Sequence, residues 1–233
     1  MKRHWLKLFL ILLLLTGLNF RSVQAEAGTV HTYVPIGSGY SSDTLRLFAS
    51  QAAEHDTDGV VEILVIPITF ATNAFHISNG ERQQNLTLAD NRRGLVENAC
   101  NAVKLPNQTC HAVLAPVLVR DDAFLADNLA LFPAELDGMY ILGGDQTIAM
   151  QVVANTPFEA KMAEAFNAGA VVSGNSAGAA VESLNMIGGY TGNNGPENGF
   201  QQGSVDLWLP GGSDPNRRGL SFGMATAVLD QHE

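Results

Sequence analysis

The amino-acid sequence predicts an α/β fold with a doubly wound, mostly parallel sheet, on two observations. Apolar runs of strand length alternate along the chain with segments of helical spacing, as a parallel sheet with crossover helices requires. One of these runs, "VVEILVIPIT" at 60–69, is almost continuously apolar, which is typical of strands buried on both faces. The chain has 233 residues, 46% hydrophobic and 15% charged, which suits one globular domain with a sizeable core.

The predicted elements follow in order along the chain. Strands are expected at 29–40, 60–69, 109–119, 136–144, 170–174 and 220–230. Helices are expected at 42–55 (begun by Ser42 or Asp43), 88–104, 124–136, 145–169 and 176–184. The helical segment at 145–169 is broken near Pro157 and ends at Gly169. From 186 to 219 the composition turns to Gly, Asn and Pro, so we expect a surface excursion too polar for the core.

The first 25 residues have the pattern of a secretory signal peptide. Three basic residues within 1–7 precede the apolar run "LFLILLLLTGL", and "VQA" supplies small residues for cleavage after Ala25. The apolar run is short for a membrane span, and an uncleaved anchor is the alternative. We therefore expect a secreted or periplasmic protein. Its single α/β hydrolase-type domain would comprise 26–233, with no membrane attachment after cleavage.

Charge and cysteine content restrict the partners and cofactors. The net charge of −10 argues against a nucleic-acid partner and is compatible with a cationic substrate. Cys100 and Cys110 are the two cysteines of the sequence, and in an oxidising compartment we expect them to form a disulfide. Two cysteines without clustered histidines fall short of a zinc site, so no metal is expected.

The stretch "VVSGNSAGAAV" places Ser176 at the centre of G-x-S-x-G, between a predicted strand and a predicted helix. In such a turn Gly174 and Gly178 permit a sharp bend that raises the serine hydroxyl above the carboxyl edge of the sheet. The N–H of Ala177 would be one oxyanion donor at the start of the helix. The alternative is a small residue in a tight turn, but the flanking strand and small-residue helix favour a nucleophile.

A second oxyanion donor is expected from "MYILGGDQT", because Gly143 or Gly144 follows the next apolar strand. Asp145 comes where a helix begins and is either part of the substrate site or a helix N-cap. Gln146 either binds the backbone or carboxylate of a peptide or is an ordinary surface residue.

A serine nucleophile needs a histidine base near neutral pH. His232 follows the strand expected at 220–230, at the sheet edge where side chains of a doubly wound fold converge. The remaining histidines lie in the signal peptide or in contexts with no evident approach to the serine: His4, His31, His55, His76 and His111.

Together, "ILGGDQ", "SGNSAGAAV" and "VLDQH" resemble the cyanophycinase branch of the serine peptidases that also contain aspartyl dipeptidases. The resemblance runs from about Thr29 to the end of the sequence. It implies a flavodoxin-like fold, akin to the class I glutamine amidotransferase domain, with serine in place of that group's cysteine. It also implies hydrolysis of cyanophycin, a poly-aspartate backbone with arginine on each side chain, through an acyl-enzyme and without a cofactor.

The same resemblance assigns roles to individual residues. Ser176 is mapped onto the nucleophile and His232 onto the base. Gly144 and Ala177 are mapped onto the oxyanion hole. The resemblance places Gln146, Asp230 and Gln231 in the substrate pocket. Asp145, next to Gln146, is expected there as well, with the helix N-cap as its alternative.

Departures from the family pattern leave alternatives open. Glu233 stands where the family usually has an aromatic residue, and the acid that orients the histidine is expected to be a glutamate beyond it. We therefore expect a C-terminally truncated chain, with an inactive copy as the alternative.

One rival function is that of a secreted α/β-hydrolase esterase that uses Asp206 or Asp214 with His232. Another is a peptide-binding protein without turnover. The oligomeric state, a homodimer included, stays open.

Overall fold

The computed structural model describes residues 31–192 and 194–230. The main sheet contains β1 (Tyr33–Ile36), β2 (Val60–Ile66), β3 (Thr109–Leu114), β4 (Gly138–Ile141) and β5 (Val171–Asn175). A hairpin contains β6 (Met186–Tyr190) and β7 (Val205–Trp208). The helices are α1 (Ser42–His55), α2 (Asn79–Val103), α3 (Ala126–Leu129), α4 (Gln146–Val153), α5 (Pro157–Ala168), α6 (Ala177–Ala180) and α7 (Pro196–Gly199), with a 3-10 helix at Arg120–Phe124.

All five strands of the main sheet run parallel, in the order β1-β5-β4-β2-β3. The stretch β3-β2-β4-β5 corresponds to strands 2-1-3-4 of the flavodoxin order, and β1 takes the outer place of the fifth strand. The strand order reverses between β2 and β4. Ligands of such sheets bind beyond the carboxyl ends of the strands near this reversal.

Helices cover both faces of the sheet, so the prediction of a doubly wound α/β fold is confirmed. On one face α1 and α2 pack against Ile63 and Val65 of β2, and on the other α4 and α5 pack with Leu64 and Ile66. This alternation follows from the two-residue period of a strand and explains why the apolar run is nearly continuous. Within the described ranges no helix has both the length and the apolar character that a membrane span needs. The predicted signal peptide lies outside the described residues.

Side-chain caps set the helix boundaries. The Oγ atom of Ser41, rather than Ser42 or Asp43, accepts the N–H of Thr44 at 3.3 Å and begins α1. The helix predicted at 88–104 begins earlier, because Ser78 caps it at residue 79. The predicted break near Pro157 is correct, and α5 ends at Gly169, whose φ is 115°.

The predicted disulfide is present. Cys100, near the end of α2, is bonded to Cys110 in β3 across a sequence separation of 10 residues. Closing a loop of this size stabilises the folded chain by about 3 kcal/mol, mostly by restricting the unfolded state.

The helix predicted at 124–136 is wrong. The chain forms the 3-10 helix and the four-residue α3 instead. The carboxylate of Asp122 accepts the N–H groups of Leu118 and Val119 at 3.0 Å, and Asn128 donates to the carbonyl of Asp122 at 2.8 Å. These side-chain bonds satisfy the main chain in a turn, and Pro133 removes a helical N–H further on.

Two predictions for the C-terminal third are also wrong. The excursion at 186–219 is partly core, since Trp208 is 6% exposed and Arg218 is 8% exposed. The guanidinium of Arg218 lies 2.6 Å from the carboxylate of Glu159 on α5, which anchors the excursion to the domain. The segment at 220–230 is not a strand. It runs along residues 181–185 and shares one bridge with them, between Ser183 and Met224.

Candidate active site

Ser176 occupies a strained turn directly after β5. Its backbone has φ 52° and ψ −121°, a combination that non-glycine residues rarely adopt. The surrounding contacts hold it there: its N–H donates to the carbonyl of Ile36 at 2.9 Å, and its own carbonyl accepts the N–H of Ala180 at 3.0 Å. Such strain persists only when packing over-determines it, and it is the geometry of a nucleophile elbow.

The elbow fits because the residue two positions after the serine lacks a side chain. A Cβ atom on Gly178 would lie 2.2 Å from the carbonyl oxygen of Ile141 in β4. Any larger residue would therefore push α6 away from the sheet and move Ser176. The predicted helix at 176–184 is only the four residues of α6. Because the helix is so short, individual N–H groups matter more here than a helix dipole.

The glycine pair after β4 lies beside the elbow, as the parallel pairing of β4 with β5 requires. A Cβ atom on Gly143 would be 3.1 Å from the Cβ of Ser176. The N–H of Gly143 donates to Oδ1 of Asn175 at 3.1 Å, so it is already engaged. Among the described residues none accepts the N–H of Gly144 or of Ala177. Gly144 is therefore the better second oxyanion donor of the two glycines.

Asp145 and Gln146 both make contacts within the protein. One carboxylate oxygen of Asp145 accepts the N–H groups of Thr147 at 2.7 Å and Ile148 at 3.2 Å, so Asp145 is the N-cap of α4. The Gln146 amide is buried and donates to the carbonyl of Ile187 in β6 at 3.2 Å. A substrate role for either residue stays a prediction.

The base and one substrate residue of the sequence motif, His232 and Gln231, lie outside the described residues. Asp230 is described and half-buried, and the N–H of the preceding Leu229 donates to Oγ of Ser183 at 3.3 Å. The end of the described chain thus runs close to the residues that follow α6. The proximity of His232 to Ser176 stays a prediction.

Sequence reasoning missed three residues beside the elbow. Asn175 is 3% exposed and binds Gly143. Tyr40 lies next to both: burial raises the pKa of its phenol, and hydrogen bonds from Asn175 and from the main chain of Gly143 oppose this increase. The guanidinium carbon of Arg92 on α2 lies 4.2 Å from the centre of the Tyr40 ring. Asn175 stands inside the G-x-S-x-G motif, but no spacing pointed to Tyr40 or Arg92.

Glu182 is a further buried acid close to the elbow. It is fully buried, and neither carboxylate oxygen has a described partner in good hydrogen-bond geometry, although the nearby main-chain N–H of Gly174 opposes the effect of burial in part. Burial therefore raises its pKa well above the ordinary value. A carboxyl group in this environment is neutral near the ordinary glutamate pKa, where an exposed one is half ionised.

Two comparisons relate the chain to known proteins. Residues 126–197 match the family described as Peptidase family S51, and this segment contains both the glycine pair and the elbow. The match supports a relationship to that family. The chain also resembles the crystal structure of a peptidase from an acI-B1 Actinobacterium, with 21% sequence identity and a TM-score of 0.51. This likeness shows that the two proteins share the α/β fold.

The structural match is partial for both proteins. It covers 69% of this chain and 60% of the solved peptidase, so the chain spans about 60% of that protein's length. No curated protein matches the chain.

Proposed function

We propose that this protein is a serine peptidase of the S51 type, with Ser176 as its nucleophile. One observation carries the proposal: Ser176 is held at φ 52° after β5, and neither the N–H of Ala177 next to it nor that of Gly144, in the turn after the neighbouring β4, has an acceptor among the described residues. A protein gains nothing in stability from a strained serine beside two unused donors. The arrangement suits a reaction in which an oxyanion forms beside a serine.

In the proposed reaction Oγ of Ser176 forms a bond to the carbonyl carbon of the peptide as its proton passes to His232. The oxyanion that forms is stabilised by the N–H groups of Gly144 and Ala177. The C–N bond then breaks, and His232 returns the proton to the leaving amine. A water molecule attacks the acyl-enzyme in the same way, and the acid product leaves as Ser176 recovers its proton. No cofactor takes part in these steps.

For the substrate we propose cyanophycin or a related aspartyl peptide, in agreement with the family resemblance of the sequence motifs. Arg92 supports a ligand that carries carboxylates. It stacks on Tyr40, whose phenol faces Gly143, and in the described part of the chain it has no carboxylate partner. The adjacent Arg93 differs, because Asp90 and Glu97 bind it at 2.7 and 2.8 Å. Arg92 is therefore available to a substrate at the edge of the site.

Export to an oxidising compartment is part of the proposal. The signal-like sequence at 1–25 favours it, and the disulfide between Cys100 and Cys110 is of the kind that persists outside the cytosol.

The esterase rival finds less support in the structure. The carboxylate of Asp206 accepts two hydrogen bonds from Arg217, at 2.7 and 2.8 Å, and one from the indole of Trp208 at 3.0 Å. These bonds hold Asp206 within the hairpin. Asp214 caps a surface turn through the N–H of Asn216. Both acids thereby have structural roles of their own.

A fluorophosphonate probe tests the nucleophile without knowledge of the substrate. The full chain is incubated with the probe, and the modified residue is identified by peptide mass spectrometry. We expect an adduct on Ser176 that Ser176→Ala abolishes and Ser173→Ala retains, since Ser173 is buried and donates to Val34. A folded chain that remains unlabelled at Ser176 contradicts the proposal and supports the non-catalytic binding protein.

Substrate class is tested with insoluble cyanophycin, a panel of aspartyl dipeptides and an aryl ester. We expect release of β-aspartyl-arginine dipeptides. Turnover of the ester alone, lost in Asp206→Asn or Asp214→Asn, would support the esterase instead.

A further inference from the structure

The turn that follows β4 is held at three main-chain atoms. The hydroxyl of Thr69, which follows β2, donates to the carbonyl of Leu142 at 2.7 Å. The carbonyl of Thr69 accepts the N–H of Asp145 at 2.9 Å. From the other side, Oδ1 of Asn175 accepts the N–H of Gly143 at 3.1 Å. Thr69 and Asn175 thus hold the glycine pair between them, at the carboxyl ends of three neighbouring strands.

The orientation of the Asn175 amide is determined by its neighbours. An N–H group can only donate, so the carbonyl oxygen of the amide must face Gly143. The phenol of Tyr140, 3.5 Å from the same oxygen, is compatible with this orientation, because burial raises its pKa and leaves it a proton to donate. Asn175 is 3% exposed, so water does not compete for its amide.

This arrangement matters because a peptide unit between two glycines rotates easily. If the peptide between Gly143 and Gly144 turned over, the carbonyl of Gly143 would replace the N–H of Gly144 at the site. A carbonyl dipole would repel an oxyanion where an N–H stabilises it. The three bonds oppose this rotation. A Cβ atom on Gly144 would lie only 2.4 Å from the Thr69 carbonyl oxygen, so the contact on that side is also tight.

We propose that Asn175, which accepts the N–H of Gly143, and Thr69, which holds Leu142 and Asp145, are positioning residues. Together they direct the N–H of Gly144 toward the oxyanion formed at Ser176. Neither side chain needs to touch the substrate. This inference rests on the proposed serine-hydrolase function. It adds the reason why one glycine of the pair, and not the other, is the donor.

Thr69→Val, Thr69→Ser and Thr156→Val form the first test. Valine keeps the shape of Thr69 and removes its hydroxyl, whereas serine keeps the hydroxyl. Thr156 is a matched control, since it is buried and its hydroxyl donates to the carbonyl of Val153 at 2.6 Å, outside the site. With an aryl ester and the full chain, we expect Thr69→Val to lower kcat about 10-fold with KM within about twofold, a fraction of what a lost oxyanion donor costs. Serine should restore kcat, and Thr156→Val should leave it unchanged.

Asn175→Ala and Asn128→Ala form the second test. Asn128 is buried and its amide donates to a main-chain carbonyl at 2.8 Å, so it controls for loss of a buried amide. We expect Asn175→Ala to slow fluorophosphonate modification of Ser176 by about 10- to 100-fold and Asn128→Ala to lower only the melting temperature.

The outcomes separate the two proposals. A wild-type chain that the probe does not modify contradicts the serine-hydrolase function itself. A wild-type chain that is modified, with folded Thr69→Val and Asn175→Ala variants that react at the same rate, overturns the positioning inference alone. If Asn175→Ala does not fold, Thr69→Val and its serine counterpart decide.

Discussion

Buried polar groups have opposite roles at the two ends of the parallel strands, which we call the amino edge and the carboxyl edge of the main sheet. At the amino edge Asp137 accepts a hydrogen bond from the ring of His55 at 3.1 Å and another from the N–H of Glu62 at 2.8 Å. Both carboxylate oxygens therefore have partners, and the cluster ties α1 to the sheet. At the carboxyl edge the bonds of Thr69 and Asn175 leave the N–H groups of Gly144 and Ala177 without an acceptor among the described residues.

The difference shows how a structural polar cluster is distinguished from a reactive one. Each edge contains a glycine at which a neighbouring group leaves no room for a side chain. A Cβ atom on Gly169 would lie 2.4 Å from the His55 ring, and one on Gly144 would lie 2.4 Å from the Thr69 carbonyl. The two edges differ in their hydrogen-bond donors. At the carboxyl edge the N–H groups of Gly144 and Ala177 have no acceptor among the described residues, and they lie near the strained Ser176. Satisfied groups stabilise, whereas preorganised unsatisfied donors are available for chemistry.

The largest expected effect comes from Gly144→Ala compared with Gly169→Ala. Gly144→Ala displaces the turn against backbone, so we expect at least a 100-fold loss of fluorophosphonate reactivity at Ser176. Gly169→Ala meets a movable histidine ring but has φ 115°, so we expect a loss of about 1–3 kcal/mol of stability with reactivity retained. Probe kinetics and thermal melting measure the two effects. Equal reactivity of both variants would contradict the contrast between the edges.

The next largest effect concerns the amino edge alone. Asp137→Asn turns an amide N–H₂ group toward either the His55 ring or the N–H of Glu62. We expect a loss of about 1–3 kcal/mol in the free energy of unfolding, because either the N–H of Glu62 meets a second donor or the His55 ring must change its tautomer to accept the amide. Urea denaturation measures it. Activity should not change, and a large fall in kcat for a folded variant would show that this edge also takes part in the reaction.

Two buried glutamates are expected to give stability a pH dependence of opposite sign. Burial raises the pKa of Glu182, so the folded state holds its proton more tightly and stability falls as pH rises above 4.5. Burial alone would also raise the pKa of Glu159, but hydrogen bonds from Arg218 and the main chain of Asn155 hold it below the ordinary value. Its contribution is present above pH 4.5 and is lost as pH falls through the lowered pKa.

Gln variants measured by melting across pH test this pair. Glu182→Gln should remove the loss of stability at rising pH and make the protein more stable at neutral pH than the wild type. Glu159→Gln should destabilise at neutral pH, because it leaves the guanidinium of Arg218 buried without its partner. Identical pH profiles for wild type and Glu182→Gln would contradict the raised pKa.

The smallest expected effect is on substrate affinity. Arg92→Gln should raise KM for aspartyl peptides about 5- to 10-fold with little change in kcat, because Arg92 is available at the carboxyl edge. Arg93→Gln is the control, since its ion pairs lie within α2. KM for a neutral aryl ester should not change in either variant. An equal effect of both arginines on KM would indicate a general charge effect instead of a specific contact.

Sequence patterns predicted an element correctly where a local run of residues determined its type. The apolar run at 60–69, the helix at 42–55 and the elbow at Ser176 are all local patterns. The helix at 124–136 failed because Asp122 and Asn128 bond to nearby main chain, and composition does not reveal such bonds. The prediction of a strand at 220–230 was wrong because this segment lies beside a loop, residues 181–185, and not beside the edge of a sheet with which it could pair.

The sequence predicted those residues of the candidate site that come directly after a strand. Gly143, Gly144 and Ser176 were found because glycines and a serine follow apolar runs. The residues alone left the choice between the two glycines open, and the family resemblance placed the donor at Gly144. The hydrogen bond from Gly143 to Asn175 supplies the physical reason, which no spacing in the sequence contains. Thr69 and Arg92 are far away along the chain and meet the site only through the fold.

The most direct test is a crystal structure of the protein after reaction with diisopropyl fluorophosphate. We expect phosphorus bonded to Oγ of Ser176, with the phosphoryl oxygen about 3 Å from the main-chain nitrogens of Gly144 and Ala177. Oδ1 of Asn175 should still accept the N–H of Gly143. A phosphoryl oxygen directed at solvent, or hydrogen-bonded to the N–H of Gly143 after its release from Asn175, would show that Gly144 and Ala177 do not form the oxyanion site.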